Sequence, residues 1–252
     1  MTTAARNAVV SAEHVRQYHD EGYFILNRAI ADEDLARLQR KCMEFVDRER
    51  QAAAAKGLTK HQQDGKFFIT FPASQDRDVA EFVFGEMMTE IARATVGDDA
   101  VLFYDQFVVK GPERGQSFAW HQDSGYVAFR HRPYVTCWVA LDDMSEVNGT
   151  VSILPYSRAG TRDRVEHVRN EATSDMVGYH GDDPGELVVV PAGSIAVFSS
   201  TVFHRSGVNT TPNYRRVYVV QYAPQRMVRP DGKQASRADP VLNNGQRCGP
   251  PT

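Results

Sequence analysis

Eight histidines make metal binding the first chemistry to look for, because neutral imidazole is the commonest metal ligand. Three of them have an acid two residues on: His19 with Glu21, His121 with Asp123, and His180 with Asp182. With 32 Asp and Glu in 252 residues, such pairs also arise by chance, so geometry must separate them. His19 falls in a helical stretch, where positions two apart point to nearly opposite sides and cannot share an ion. His180 sits in Gly178-Tyr179-His180-Gly181-Asp182-Asp183-Pro184-Gly185, a loop with nothing to hold two ligands rigidly. His121-Gln122-Asp123 directly follows the apolar Phe118-Ala119-Trp120. In extended backbone, alternate side chains share a face, so His121 and Asp123 can meet one ion. His204, which follows the strand-like Ile195-Ala196-Val197-Phe198, is the best candidate for a third ligand. Two imidazoles and one carboxylate on one face leave adjacent positions open and suit non-haem Fe(II).

Beyond His204 lie Arg215 and Arg216. A planar guanidinium grips a carboxylate through two parallel hydrogen bonds, which Lys cannot reproduce. An Arg at this place suits the far carboxylate of an iron-chelating 2-oxo acid. Neighbours on a strand face opposite sides, so only one of the two can point inward.

The elements that must position these groups fall into two textures. The first third reads helical. Ser11 caps a short helix that Gly22 ends, Tyr23–Leu26 forms a strand, and a helix runs from Asp32 to the Ala52–Ala55 run. A further amphipathic stretch covers Val79 to Val96. From Ala100, short β-branched and aromatic runs alternate with Gly, Pro, Asn and Asp. Strands are expected at Val101–Val109, Phe118–Trp120, Tyr134–Leu141, Thr150–Leu154, Leu187–Val190, Ile195–Phe198 and Arg216–Tyr222. Helices followed by strands, without βαβ alternation, imply one α+β unit, mainly β, with an antiparallel sandwich or barrel at its heart. We expect a single domain over 1–252, with its core at about 11–223. The Pro-, Gly- and Arg-rich tail, 224–252, reads either as a solvated tail or as a segment folded over a site mouth.

Composition removes other classes. Lys and Arg total 29 against 32 acids, a net charge of −3, without the basic excess of a nucleic-acid binder. Three cysteines without C-x-x-C spacing do not make a disulfide framework and fit a reducing compartment. No apolar run reaches the roughly 18 residues of a membrane span, and the start lacks a signal-peptide h-region. These features point to a cytoplasmic enzyme acting on a small molecule, with no nucleic-acid or membrane partner. The oligomeric state is not readable.

The sequence resembles the phytanoyl-CoA dioxygenase family. The resemblance rests on His121-Gln122-Asp123, Trp138, the segment Asn148-Gly149-Thr150-Val151-Ser152-Ile153-Leu154-Pro155-Tyr156-Ser157-Arg158, and His204-Arg205-Ser206-Gly207-Val208-Asn209 followed by Arg215. Together these are far more specific than any one piece. The family implies a double-stranded β-helix, or jelly roll, with N-terminal flanking helices. It also implies Fe(II) as cofactor, with 2-oxoglutarate and O2 as co-substrates. Matched residue by residue, His121, Asp123 and His204 take the metal. Arg215, chosen over Arg216 by the family spacing, and Ser206 take the distal carboxylate of 2-oxoglutarate. Trp138 lines the co-substrate pocket. A further co-substrate contact comes from the strand before His121, where Gln106 is preferred to Lys110. Two positions depart from the family, which often has Gly and His where this chain has Tyr156 and Arg158.

The activity so implied is oxidation of an unactivated C–H with release of succinate and CO2. An intact Asp123 favours hydroxylation over halogenation, since halogenases of this superfamily carry Ala or Gly there. A zinc-dependent hydrolase or isomerase on a cupin-type fold, or a non-catalytic jelly-roll binding protein, are the alternatives. Phe67, Phe68, Phe71, Tyr126, Phe129, Arg130 and Arg132 are candidates for the substrate rim and suit a mid-sized amphipathic molecule. His61, His131 and His167 read as surface histidines, and Cys137 as a buried, inert thiol.

Overall fold

A computed structural model of the chain describes residues 8–58, 66–112, 117–171 and 175–251. The first helix, α1 (Ala12–Glu21), begins where Ser11 Oγ accepts the His14 N–H and ends at Gly22, whose φ of +82° suits glycine. Strand β1 (Tyr23–Leu26) follows, then α2 (Asp32–Ala55). Leu38, Cys42, Phe45 and Val46 recur at helical spacing and form the buried face of α2. The stretch Val79–Val96 is two helices, α3 (Arg77–Val83) and α4 (Glu86–Val96). The break falls at Phe84-Gly85, where Gly85 takes extended backbone and opens the second helix.

The remaining elements are mostly strands. A large antiparallel sheet takes β1, β2 (Lys66–Thr70), β3 (Ala100–Lys110), β5 (Val135–Ala140), β10 (Ile195–Ser199), β12 (Arg215–Ala223), β13 (Asp239–Asn243) and β14 (Gln246–Arg247). Its order is β1-β10-β5-β12-β3-β13-β14, with β2 also paired to β3. A smaller sheet runs β4 (Phe118–His121), β11 (Phe203–Ser206), β6 (Val151–Leu154) and β9 (Glu186–Leu187). A short helix α5 (Tyr156–Ala159) and the pair β7 (Val168–Arg169) and β8 (Met176–Val177) complete the fold.

The period-2 alternation of the large sheet sorts residues between two environments. Leu102, Phe107, Val109, Val135, Cys137, Val139, Tyr218, Val220 and Tyr222 pack with Leu38, Phe45 and Ile91 of the helices in the main core. Their alternates Gln106, Val108, Thr136, Trp138, Val219 and Gln221 line a cavity of about 720 Å³. The smaller sheet contributes His121, Val151, His204 and Ser206 to the same cavity.

The expected β9 is shorter than Leu187–Val190, and β2, β11 and β13 are strands that the sequence reading did not assign. The tail is only partly solvated. Met227 packs with Phe103 and Tyr134, Val241 and Leu242 are buried, and β13 pairs with the start of β3. Between them, Ala235 and Ser236 reach the cavity wall.

Candidate active site

His121 closes β4 and His204 lies on β11, directly opposite it in register. Between the pairs His204–His121 and Ser206–Phe118, two residues of β4, Ala119 and Trp120, stand against one of β11, Arg205. That irregularity lets Phe118 and His121 both face the cavity. Gln122 is extended (φ −105°, ψ 141°) and Asp123 opens a 3-10 turn, Asp123–Tyr126. The extended Gln122 carries Asp123 onto the face of His121, as the spacing of two requires. One ligand atom from each of His121, Asp123 and His204 falls within 4.8 Å of the others. His204 Nε2 and Asp123 Oδ1 are 3.6 Å apart.

The hydrogen bonds around the three aim their free atoms. His121 Nδ1 donates to the Ala119 carbonyl (2.7 Å) and His204 Nδ1 to the Val202 carbonyl (3.2 Å). Both Nε2 atoms are thereby the ring nitrogens left for a metal. Thr136 Oγ1 donates to Asp123 Oδ2 at 2.5 Å, and Gln221 Nε2 donates to the same oxygen at 3.0 Å. Oδ1 is thereby the oxygen left for a cation. Burial and the neighbouring His204 push His121 well below its ordinary range, so it is a neutral imidazole.

The donor set fits Fe(II): two imidazoles and one carboxylate, with room beside them in the cavity. A second observation fits a 2-oxo acid. Arg215 is 2% exposed and lines the same cavity. Its Nη2 donates to the Gly149 carbonyl (3.2 Å), while Nε is buried with no hydrogen-bond partner. A buried cation with an idle donor marks a place for an anion. Lys110 extends from β3 to the same corner. Its Nζ lies 2.8 Å from Ser206 Oγ and also donates to the carbonyl of Gly207.

Arg216 points the other way and forms a two-pronged ion pair with Asp142, its Nε 3.2 and 3.1 Å from the two oxygens. The alternation argument therefore separates the two arginines. Trp138 and Gln106 both line the cavity. His19 is in α1 and His180 in an exposed loop, as their sequence contexts imply. The departures from the family pattern are structural: Tyr156 Oη shares a 2.6 Å hydrogen bond with Thr201, and Arg158 pairs with Asp183.

The profile of the family described as phytanoyl-CoA dioxygenase (PhyH) matches residues 18–217. The chain belongs to the phytanoyl-CoA dioxygenase family. A probable phytanoyl-CoA dioxygenase of Caenorhabditis elegans is 21% identical over 237 residues, covering 86% of this chain and 76% of that one. Among solved structures, the chain resembles the non-heme alpha ketoglutarate dependent carbocyclase SnoK from nogalamycin biosynthesis. The TM-score is 0.68 at 19% identity, over 93% of this chain and 94% of that one. It also resembles EctD from S. alaskensis with 2-oxoglutarate and 5-hydroxyectoine, with a TM-score of 0.66 at 20% identity, over 100% of this chain and 88% of that one. The fold is the jelly roll expected from the motifs. As a family member, the protein is an Fe(II)- and 2-oxoglutarate-dependent oxygenase. The zinc hydrolase and the non-catalytic binding protein give way to that class.

Several features of the site escaped the sequence reading. Thr136 and Gln221, which hold Asp123, lie two residues from Trp138 on β5 and two from Val219 on β12. The period of two that places Trp138 in the cavity could have found Thr136. Of the rim candidates, Phe68, Phe71 and Tyr126 line the cavity, whereas Phe67 is on the opposite face of β2, in the main core. Phe129, Arg130 and Arg132 are not in the cavity wall. His61 lies outside the described residues.

Proposed function

We propose that this oxygenase hydroxylates, or otherwise oxidises, an unactivated C–H of a mid-sized amphipathic small molecule. The observation that carries the reading is the buried Arg215 Nε without a partner, in one cavity with the His121, Asp123 and His204 triad. His121 Nε2, His204 Nε2 and Asp123 Oδ1 would hold Fe(II). Arg215 and Ser206, with Lys110 beside them, would receive the distal carboxylate of 2-oxoglutarate. Trp138 and Gln106 would flank it.

Bound Fe(II), with 2-oxoglutarate and O2, supplies the oxidising power and releases succinate and CO2. The chain supplies orientation and exclusion of water. Thr136 and Gln221 fix the Asp123 carboxylate. Phe68, Phe71, Phe103, Tyr104, Phe118 and Tyr134 give the cavity an aromatic wall. Lys66 Nζ sits 3.6 Å from the centre of the Phe118 ring, a charge poised over an apolar surface. A cavity of about 720 Å³ suits an amphipathic substrate with an anionic group near Lys66.

With Asp123 as a ligand and 2-oxoglutarate bound, Fe(II) would offer no place for a halide. The test is succinate release with Fe(II), ascorbate and 2-oxoglutarate over a metabolite panel, with mass spectrometry of the products in chloride and bromide buffers. The expected product is heavier by one oxygen, or lighter by two hydrogens if ring closure or desaturation prevails. A halogen isotope pattern would overturn the role given to Asp123, and no succinate under any condition would overturn the whole reading.

A further inference from the structure

The residue between two ligands of the triad is held more firmly than either neighbour. Gln122 is fully buried. Its side chain donates to the carbonyls of Asp163 (2.9 Å) and Thr201 (2.6 Å) and accepts the Val165 N–H (2.9 Å). Its backbone N–H is satisfied by a side chain far along the sequence. His167 Nε2 accepts it at 2.9 Å, while His167 Nδ1 donates to the Val165 carbonyl at 3.0 Å. That pair of bonds defines the His167 tautomer: proton on Nδ1, lone pair on Nε2 facing Gln122.

The slot that holds the ring is built for it. A Cβ added to Gly125 would lie 2.5 Å from the imidazole, and so would one added to Gly178. Two glycines from different segments thus leave the space the ring fills. On a further side His167 lies against Phe203, the residue before His204, with ring centres 6.5 Å apart. The imidazole therefore touches the turn that carries His121 and Asp123 and lies beside the strand that carries His204.

We propose that His167 is a positioning residue for the metal site. It accepts the Gln122 N–H, the first of the two peptide N–H groups between the ligands, and so fixes the orientation of both. The proposal rests on His121, Asp123 and His204 being the ligands. The physical reason is that an unmet buried N–H must find another acceptor. The nearest way to do so is to rotate the Gln122 peptide, which moves His121 and Asp123 relative to each other. Outer partners of ligating groups tune metal affinity by about 10–100-fold.

The test uses Co(II) as the probe, titrated into metal-free protein and followed by its visible absorption, alongside the thermal midpoint of the metal-free protein. His167→Leu removes the acceptor while filling the slot. His167→Gln returns an oxygen near the position of Nε2. The expected result is Co(II) affinity about 10-fold weaker or more in His167→Leu, with recovery in His167→Gln. Unchanged affinity in His167→Leu overturns the proposal. Equal loss in both variants also overturns it, because volume rather than the acceptor would then matter. A lowered thermal midpoint with intact affinity assigns His167 a purely structural role and overturns it as well. His121→Ala serves as the reference. If that variant still binds Co(II) normally, it is the ligand assignment that fails, and the role of His167, which rests on it, falls with it.

Discussion

Arg215 and Arg216 are adjacent, carry the same charge and sit on the same strand, yet the sheet gives them unrelated work. Arg215 is buried in the cavity wall with Nε idle, and burial pushes it down to about 10. Arg216 is on the other face, clasped by Asp142. Arg215→Lys keeps a charge but loses the two-pronged geometry, so the affinity for 2-oxoglutarate should drop by about 2–4 kcal/mol. Arg216→Lys should leave that affinity unchanged and lower the thermal midpoint slightly. The reverse ranking in a calorimetric titration would refute the assignment. Lys110 adds a pH dependence. Burial, and then the charge of Arg215, push it down to about 6. Without ligand it is neutral above that pH, and a dianion placed beside it restores the ammonium form. Binding then takes up a proton, so 2-oxoglutarate affinity should fall as pH rises from about 6 toward ~9. Lys110→Met should flatten that slope. Titrations in buffers of different ionisation enthalpy count the proton, and a count of zero would contradict the coupling.

The elements do their positioning through turns as much as through strands. Gly149 has φ +73°, and a Cβ there would lie 2.4 Å from the Gly207 carbonyl oxygen. Its own carbonyl accepts from Arg215 and lies 3.4 Å from Lys110 Nζ. Gly149→Ala should therefore cost about 2 kcal/mol or more in stability and also weaken 2-oxoglutarate binding. Chemical denaturation beside ligand titration would show whether the two losses come together. Much of this was legible in advance. The Ser11 cap and the Gly22 stop, the α2 periodicity and the strands from Val101 onward are local signals, and local physics sets them. The spacing of His121 and Asp123 survived because Gln122 is extended. What was missed is non-local. Strand β2 exists because β3 offers it a partner. The break in Val79–Val96 was marked only by Gly85. His167 meets Gln122 across 45 residues, a contact that no periodicity encodes. The tail strand Asp239–Asn243 offers just Val241 and Leu242 as buried apolar residues, too few to make a pattern.

At the scale of the molecule, the helices brace one face of the large sheet and leave its other face to the cavity. The tail closes part of that cavity. Arg229 N–H donates to the Lys233 carbonyl and Ala235 N–H to the Met227 carbonyl, which turns the chain back on itself. Arg237 then lies 3.7 Å from the buried Asp105 and pairs with Asp239. Removing residues 224–252 takes Met227, Val241 and Leu242 out of their contacts, each worth about 1.5–3 kcal/mol of burial. The truncated protein should melt at a lower temperature and exchange the amides at the start of β3 faster. An unchanged melting point would mean the tail is only draped over the surface.

The family match stops at residue 217, while Ala235 and Ser236 still face the space the substrate would occupy. Part of the pocket wall thus lies outside the matched residues. Two lineages could share every residue that handles iron and 2-oxoglutarate, trade only their C-terminal ends, and come to favour different molecules. In such a protein, diversification need not touch the machinery of oxidation at all.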